Sequence, residues 1–398
     1  MLGKNNAKIK NNSNKVPFFL PYVDSKDITA INNTASSIFL TNGPKLDTFE
    51  QKFKEFTKSK FAIGVSNATA ALYLSLKALR IKKNDEVIIP DLTFAATANV
   101  VLQAGAIPVL ADIDEDTLNI SVESIIRNIS RKTKAIIPVH LAGTSCDMKK
   151  IMKVARSNSL KVIEDCAHGV GTSYNKKHVG NFGNAGCFSF YPTKNLTTVE
   201  GGMVITNNKK IANFIQLARN HGMSKSLMSR YASGKPWEYD IKDIGYNFRL
   251  DEIRSALGIS QLRKLTILNK KRLTAFLYYN KGLKNIPGLI IPNEKNFKNN
   301  SCHLYIIRIT TNAKISRDRL FYDLQKNGIG SSVHYKPLHE FTLFKKKGIS
   351  RRSLSVSKKI YKEILSLPMY PQLTRSNQDY VIKSIKSILV TIANEKYV

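Results

Sequence analysis

Long apolar runs are missing from this chain. No stretch of about 18 hydrophobic residues occurs in its 398, so no transmembrane helix is expected. The first residues, MLGKNNAKIKNNSNK, hold no apolar core segment, so a secretory signal is not expected either, and residues 1–15 read as a basic disordered tail. Cysteine is scarce: Cys146, Cys166, Cys187 and Cys302 form no CxxC pair and no disulfide-framework spacing. That excludes a disulfide-stapled scaffold, offers no ligand set for an iron–sulfur cluster or other metal, and points to a reducing, cytoplasmic compartment. Acidic residues are scarce too, with 29 Asp+Glu against 62 Lys+Arg and a formal charge of +33. Such a balance raises a nucleic-acid-binding reading. The basic residues are spread along the chain rather than gathered in one arm, and Lys, Asn and Ile are abundant together, as in compositional drift. A solvated basic surface that attracts small anionic substrates is the expectation, with no nucleic-acid or membrane partner.

What is present is ordinary for a globular enzyme. The hydrophobic content of 42% supplies a sizeable core, and the length allows two domains. Short apolar runs alternate with helical patterns: EVIIP (86–90), FAATANVVLQAG, IPVLADI (107–113), a helix from about Ser121, KAIIPVHLAG (134–143), DMKKIMKVARSN and KVIEDCA (161–167). This order predicts a mostly parallel sheet with crossover helices. Two further strands are expected at CFSFY (187–191) and GMVITN (202–207). Beyond about residue 263 the pattern changes to a basic helical run, NIPGLIIP, a strand-like HLYIIRIT (303–310), a helix near 316–327 and a final helix from about Ser376. The division expected is a large domain over 16–262 and a smaller α+β domain over 263–398.

Between His178 and Val199, Lys194 alone carries a full formal charge. An isolated lysine in an apolar, hydroxyl-rich segment has its pKa lowered by desolvation, which makes its amine a nucleophile toward an aldehyde and a base. A surface lysine on a loop is the ordinary alternative. Asp165 stands at the carboxyl end of a buried strand, where ligands gather in such sheets, or it caps the next turn. SNATAALYLSLKAL (66–79) places Thr69 and small residues at a helix start, either as a phosphate site or as a plain cap. Together the three features are the parts that pyridoxal phosphate requires: an amine for its aldehyde, a carboxylate for its ring nitrogen and a cradle for its phosphate.

With these residues in view the chain resembles the DegT/DnrJ/StrS family of pyridoxal-phosphate-dependent sugar aminotransferases. The resemblance runs from about Val16 to the C-terminus. It rests on LTNGPKLDTFE (40–50), VSNATAAL (65–72), IPDLTFAATANVVLQAGAIPVLADID (89–114), PVHLAG (138–143) and VIEDCAHGVG (162–171). It continues through GCFSFYPTKNLTTVEGGMV (186–204), RNHG (219–222), GYNFRLDEIRSALGISQL (245–262) and SSVHYKPLH (331–339). The resemblance implies the aspartate-aminotransferase-like α/β fold (fold type I), with a mostly parallel central sheet in the large domain, and a homodimer with shared active sites. It implies that Lys194 is the lysine joined to the cofactor, that Asp165 partners the pyridine nitrogen and that His168 sits near the ring hydroxyl. Phe94 would stack on the ring, and Ala68, Thr69 and Ser189 would bind the phosphate. Asn247 would reach the phosphate of the other subunit, and His334 would contact the sugar nucleotide. Taken singly, Phe94 reads equally as a core aromatic, Ser189 as a satisfied strand hydroxyl and His168 as a structural histidine.

One position departs from the family. TTVEGG places Val199 where TTGEGG is common, so a turn requiring positive φ would be strained. Lys194 itself argues against the family's dehydratases, in which histidine replaces it, and against lysine-less partner proteins. The implied activity moves an amino group from an amino acid, L-glutamate by resemblance, onto a nucleotide-linked keto-sugar, a 4-keto-6-deoxy sugar by resemblance. The cofactor would pass through its pyridoxamine phosphate form between the two halves, with Lys194 moving the proton in each.

Overall fold

Short, uncharged or capped segments become strands and helices where their ends carry local hydrogen bonds. In the computed structural model, residues 15–224, 234–235, 237–293 and 299–394 are described. The basic tail expected over 1–15 lies outside them, apart from Lys15. Strands β1 (Phe61–Val65), β2 (Glu86–Pro90), β3 (Ile107–Ala111), β4 (Thr133–Ile136) and β5 (Lys161–Asp165) come first. A short hairpin, β6 (Ser173–Tyr174) and β7 (Lys177–His178), precedes β8 (Ala185–Ser189) and β9 (Gly202–Thr206).

The central sheet has seven strands in the order β1-β9-β8-β5-β4-β2-β3. The pairings β2–β3, β2–β4, β4–β5 and β5–β8 are parallel, while β8–β9 and β9–β1 are antiparallel. Every residue of β2, β8 and β9 is buried, as expected for strands covered on both faces. The covering helices start at side-chain caps. Asn67 caps α1 (Ala68–Ala78), Ser121 caps a helix at Val122–Asn128, and Asp147 caps one at Met148–Ser157. Because β1, β2, β4, β5 and β8 run the same way, their carboxyl ends share one edge of the sheet. The site residues gather there.

The expected strand over 134–143 splits into two parts. The regular ladder ends at Ile136, an isolated bridge joins Val139 to Asp165, and Ala142 then adopts φ 56°. The rest of the run forms a turn that abuts the site. A second sheet, β10 (Leu289–Ile290), β11 (Tyr305–Ile309) and β12 (Ile364–Leu367), is wholly antiparallel. It packs with the Arg317–Lys326 and Arg375–Asn394 helices around its own buried cluster, which also takes in Val16. The helix Glu252–Leu283 runs unbroken past residues 262 and 263. A boundary drawn there therefore falls within a helix, with no linker, and we propose that this helix is shared by the two units. Among the described residues no helix is long and apolar enough to cross a membrane.

Candidate active site

At the shared strand edge lies a cavity of about 1020 Å³. Its wall brings together Ala68, Thr69, Phe94, Asp165, His168, Ser189, Lys194 and His334 from segments spread over most of the chain. Asn247 is the one candidate that it leaves out. Tyr246 and Phe248 line the wall, with their rings stacked at 5.1 Å and 3°, so the intervening Asn247 faces outward and is exposed.

The lysine sits on the turn after β8, where its backbone N–H donates to the carbonyl of Tyr191 at 2.9 Å. Burial pulls the amine's pKa down to about 8, and the nearby Asp165 carboxylate opposes that pull. Lowering it from 10.5 to about 8 raises the neutral fraction at pH 7 by roughly 300-fold. No hydrogen bond or ion pair reaches Nζ from the described residues.

Asp165 ends β5 and is 5% exposed. Its Oδ1 accepts from the Ala167 N–H at 3.1 Å, and its Oδ2 accepts from Thr97 Oγ1 at 3.1 Å. The hydroxyls of Thr93 and Thr97 are 3.0 Å apart, so Thr97 accepts from Thr93 while it donates to the acid. Burial raises the Asp165 pKa despite these donors. A cation placed against this carboxylate, such as a protonated ring nitrogen, would be held tightly and would keep its proton.

His168 is buried and accepts from the Ala142 N–H through Nδ1 at 3.2 Å. Its pKa is pushed well below the usual value by burial, then by Lys194 and His334, so the ring is neutral. With Nδ1 accepting, the proton sits on Nε2, which donates to Tyr335 Oη at 3.3 Å. The Tyr335 hydroxyl proton is thereby left free to point at an acceptor in the cavity. His334 stacks on Phe18 at 5.5 Å, with its Nδ1 2.9 Å from Ser366 Oγ, and burial lowers its pKa to about 4.

The start of α1 supplies the opposite end of the cavity. Asn67 Oδ1 accepts from the Ala70 N–H at 2.8 Å, and the amides of Ala68 and Thr69 have no acceptor among the described residues. Ser189 Oγ accepts from the Tyr191 N–H at 3.4 Å, so its own proton is available. The end of β9 presses so close to this helix start that a Cβ on Gly202 would lie 2.5 Å from the carbonyl carbon of Asn67. Across the cavity, Phe94 is 61% exposed, an unusual degree of exposure for a phenylalanine ring, and lies 5.9 Å from the ring of Tyr335.

A family model for the DegT/DnrJ/EryC1/StrS aminotransferases matches residues 21–386. The chain belongs to this family. It is 38% identical over 377 residues to the spore coat polysaccharide biosynthesis protein SpsC of Bacillus subtilis, covering 94% of this chain and 97% of SpsC. Among solved structures it resembles Helicobacter pylori PseC, an aminotransferase involved in the biosynthesis of pseudoaminic acid. The TM-score is 0.88 at 33% identity, over 94% of this chain and 99% of PseC. It also resembles the PLP-form of Spr1654 from Streptococcus pneumoniae, with a TM-score of 0.87 at 29% identity, over 95% of this chain and 99% of that one. Like the family, the chain has the α/β fold with a mostly parallel sheet and is a pyridoxal-phosphate-dependent sugar aminotransferase.

The residues present fit that cofactor. An amine without a partner, a buried carboxylate that lacks a cation, a ring with an open face and free amides at a helix start all face one cavity. The only His/Cys/acid cluster among the described residues, His140, Glu164 and Cys166, does not make a rival metal centre. Glu164 accepts from His140 Nε2 at 3.1 Å and from the N–H groups of Gly180, Phe182 and Gly183 at 2.7 Å each, and burial raises the Cys166 thiol far above its usual range.

Val199 bears out the strain expected of TTVEGG. Its φ is 68°, its side chain is exposed, and its N–H is held by Thr197 Oγ1 at 3.0 Å. A left-handed non-glycine residue costs about 1–3 kcal/mol, offset by roughly 0.5–1 kcal/mol of extra unfolded-chain entropy on introducing glycine. Val199→Gly is therefore expected to stabilise the fold by about 1 kcal/mol and raise Tm by about 2 °C. An unchanged or lower Tm in a calorimetric scan would refute this.

Sequence reasoning missed Thr93, Thr97, Tyr335, Tyr246 and Phe248 as cavity residues. Tyr335 sits beside His334 in a stretch that the family resemblance already quoted. Thr93 and Thr97 lie in the quoted 89–114 stretch, and Tyr246 and Phe248 in the quoted 245–262 stretch, so the motifs were in view but their cavity side chains were not singled out.

Proposed function

We propose that this chain, as a homodimer, transfers the amino group of L-glutamate to a nucleotide-linked 4-keto-6-deoxy sugar. The observation that carries the reading is one wall bearing both Lys194, with its unpartnered amine, and Asp165, beneath an exposed aromatic ring and beside free helix-start amides. When bound, pyridoxal phosphate supplies an aldehyde that carries the amino group and a ring that takes up electron density. The chain's own residues do the rest. Ala68 and Thr69 donate amide N–H groups, and Ser189 its hydroxyl, to the phosphate. Phe94 covers a ring face, and Asp165 holds a proton on the ring nitrogen. Lys194 Nζ would take the proton from the donor Cα and return it, on the same face, to the carbon at the other end of the carbon–nitrogen unit. The same atom runs the transfer in reverse with the sugar, which suits an amine with a pKa near working pH.

PseC acts in pseudoaminic acid biosynthesis and SpsC in spore coat polysaccharide biosynthesis, which supports a sugar-nucleotide substrate and a glycan product. The +33 charge favours the approach of an anionic donor and a diphosphate-linked sugar. The dimer reading is supported by the exposed apolar side chains Trp237, Ile241 and Ile244, which lie just before the GYNFR stretch. Asn247, exposed in the single chain, would there serve the partner's phosphate. Asn247→Ala is accordingly expected to weaken cofactor binding about tenfold by equilibrium titration, as one hydrogen bond to a charged group is lost. Unchanged affinity would argue that the residue serves no site. The substrate is tested with glutamate and a panel of nucleotide keto-sugars, reading products by mass and NMR. An aminated 4-keto-6-deoxy sugar is expected, and turnover restricted to 3-keto sugars would overturn that assignment.

A further inference from the structure

His303 lies just before β11, far from Lys194 in sequence, yet its ring is 4% exposed and sits directly behind the cavity wall. Its Nδ1 is 2.9 Å from Oδ1 of Asn195, the residue that follows Lys194. The Asn195 amide is fully committed, because Nδ2 donates to the Ser301 carbonyl at 2.6 Å and to Asn269 Oδ1 at 2.8 Å. Oδ1 must then be the acceptor, so His303 carries its proton on Nδ1 and donates. The other face of the arrangement touches His168, whose ring centroid is 4.3 Å from that of His303. One residue serves both histidines: the Ala142 N–H donates to His168, while its carbonyl accepts from the His303 N–H at 3.0 Å. Gly143, at φ 92°, admits the 300–303 segment, since a Cβ there would meet Ser301 Oγ at 2.2 Å. Ser301 Oγ in turn donates to the His168 carbonyl at 2.6 Å.

We propose that His303 is a positioning residue for Lys194: acting through Asn195, it clamps the lysine's turn to the segment that leads into the C-terminal sheet and keeps water from the amine. The inference rests on the aminotransferase reading and extends it, because it makes the depressed basicity of Lys194 depend on a hydrogen bond made from the segment that precedes the other sheet. The ionisable groups around that amine are Asp165, which raises its proton affinity, and the neutral rings of His168, His303 and His334. Glu200 and Tyr335 complete the cavity wall. Losing the clamp admits water and restores part of the amine's ordinary basicity.

The test uses full-length protein freed of cofactor and follows, by near-visible absorbance, the pH dependence of the rate at which pyridoxal phosphate bonds to Lys194. The wild-type midpoint is expected at about pH 8. His303→Leu and Asn195→Ala are each expected to move it upward by about one pH unit, a tenfold change in proton affinity. His303→Gln, which keeps a donor for Asn195, should stay within about 0.3 of the wild type. A purely structural role would lower Tm in the variants and leave the midpoint in place, which would overturn the proposal. Should His303→Leu fail to fold, Asn195→Ala decides alone. Failure of the wild-type protein itself to form a band would sink the cofactor reading, and this proposal with it, whereas a normal wild-type band with immobile variant midpoints sinks only the clamp.

Discussion

Lys194→Ala is expected to lower kcat by about 10⁴-fold or more and to leave protein that binds pyridoxal phosphate only reversibly. On the proposed reading two roles are lost at once: the amine that holds the cofactor and the base that moves the proton. The cavity survives, since the helix-start amides of α1, Phe94 and Asp165 come from other segments and Ser189 lies on β8 rather than on the lysine's turn. The variant should therefore still take up cofactor at equilibrium while failing to retain it through gel filtration. Single-turnover measurements with glutamate check the chemical step directly. A variant that retained more than about a hundredth of wild-type kcat would assign the proton transfer to another group. Added small amines should recover part of the rate, because the space left by the side chain opens into the same cavity.

Asp165→Asn is expected to cost of the order of 10³-fold in kcat with a much smaller change in cofactor affinity. The substitution preserves volume and the acceptor for Thr97 but removes the charge that holds the ring nitrogen's proton. The sign follows from the structure: burial raises the Asp165 pKa in the protein alone, so the ionised acid gains most when a cation arrives beside it. The absorbance of the bound cofactor should shift as the ring nitrogen loses its proton, which separates an electrostatic effect from loss of fold. Equal losses in activity and in Tm, with an unshifted spectrum, would mean that Asp165 is structural.

Much of the framework was legible because parallel strands buried on both faces write themselves as short apolar runs. EVIIP matches β2 to the residue, and KVIED and IPVLA begin the longer runs read at 161–167 and 107–113. The 134–143 run was over-read as strand, since apolar content alone does not reveal that Ala142 turns left-handed after an isolated bridge at Val139. Lys194 and Asp165 could be singled out by isolation and by strand-end position, two features with direct physical meaning. Residues that act through those two were not legible. Thr97 reaches Asp165 across 68 residues and His303 reaches Asn195 across 108, and hydroxyl, amide and imidazole side chains carry no periodicity that would announce such pairings. Asn247 shows the opposite limit, because a motif assigns it a role while the single chain holds it at the surface.

The most direct test of the account is to load the protein with pyridoxal phosphate, reduce it with borohydride and map the modified peptide by mass spectrometry. The account predicts a single stoichiometric adduct on the peptide containing Lys194, absent from Lys194→Ala. An adduct on another of the chain's many lysines, or none at all in protein that had bound the cofactor, would contradict it.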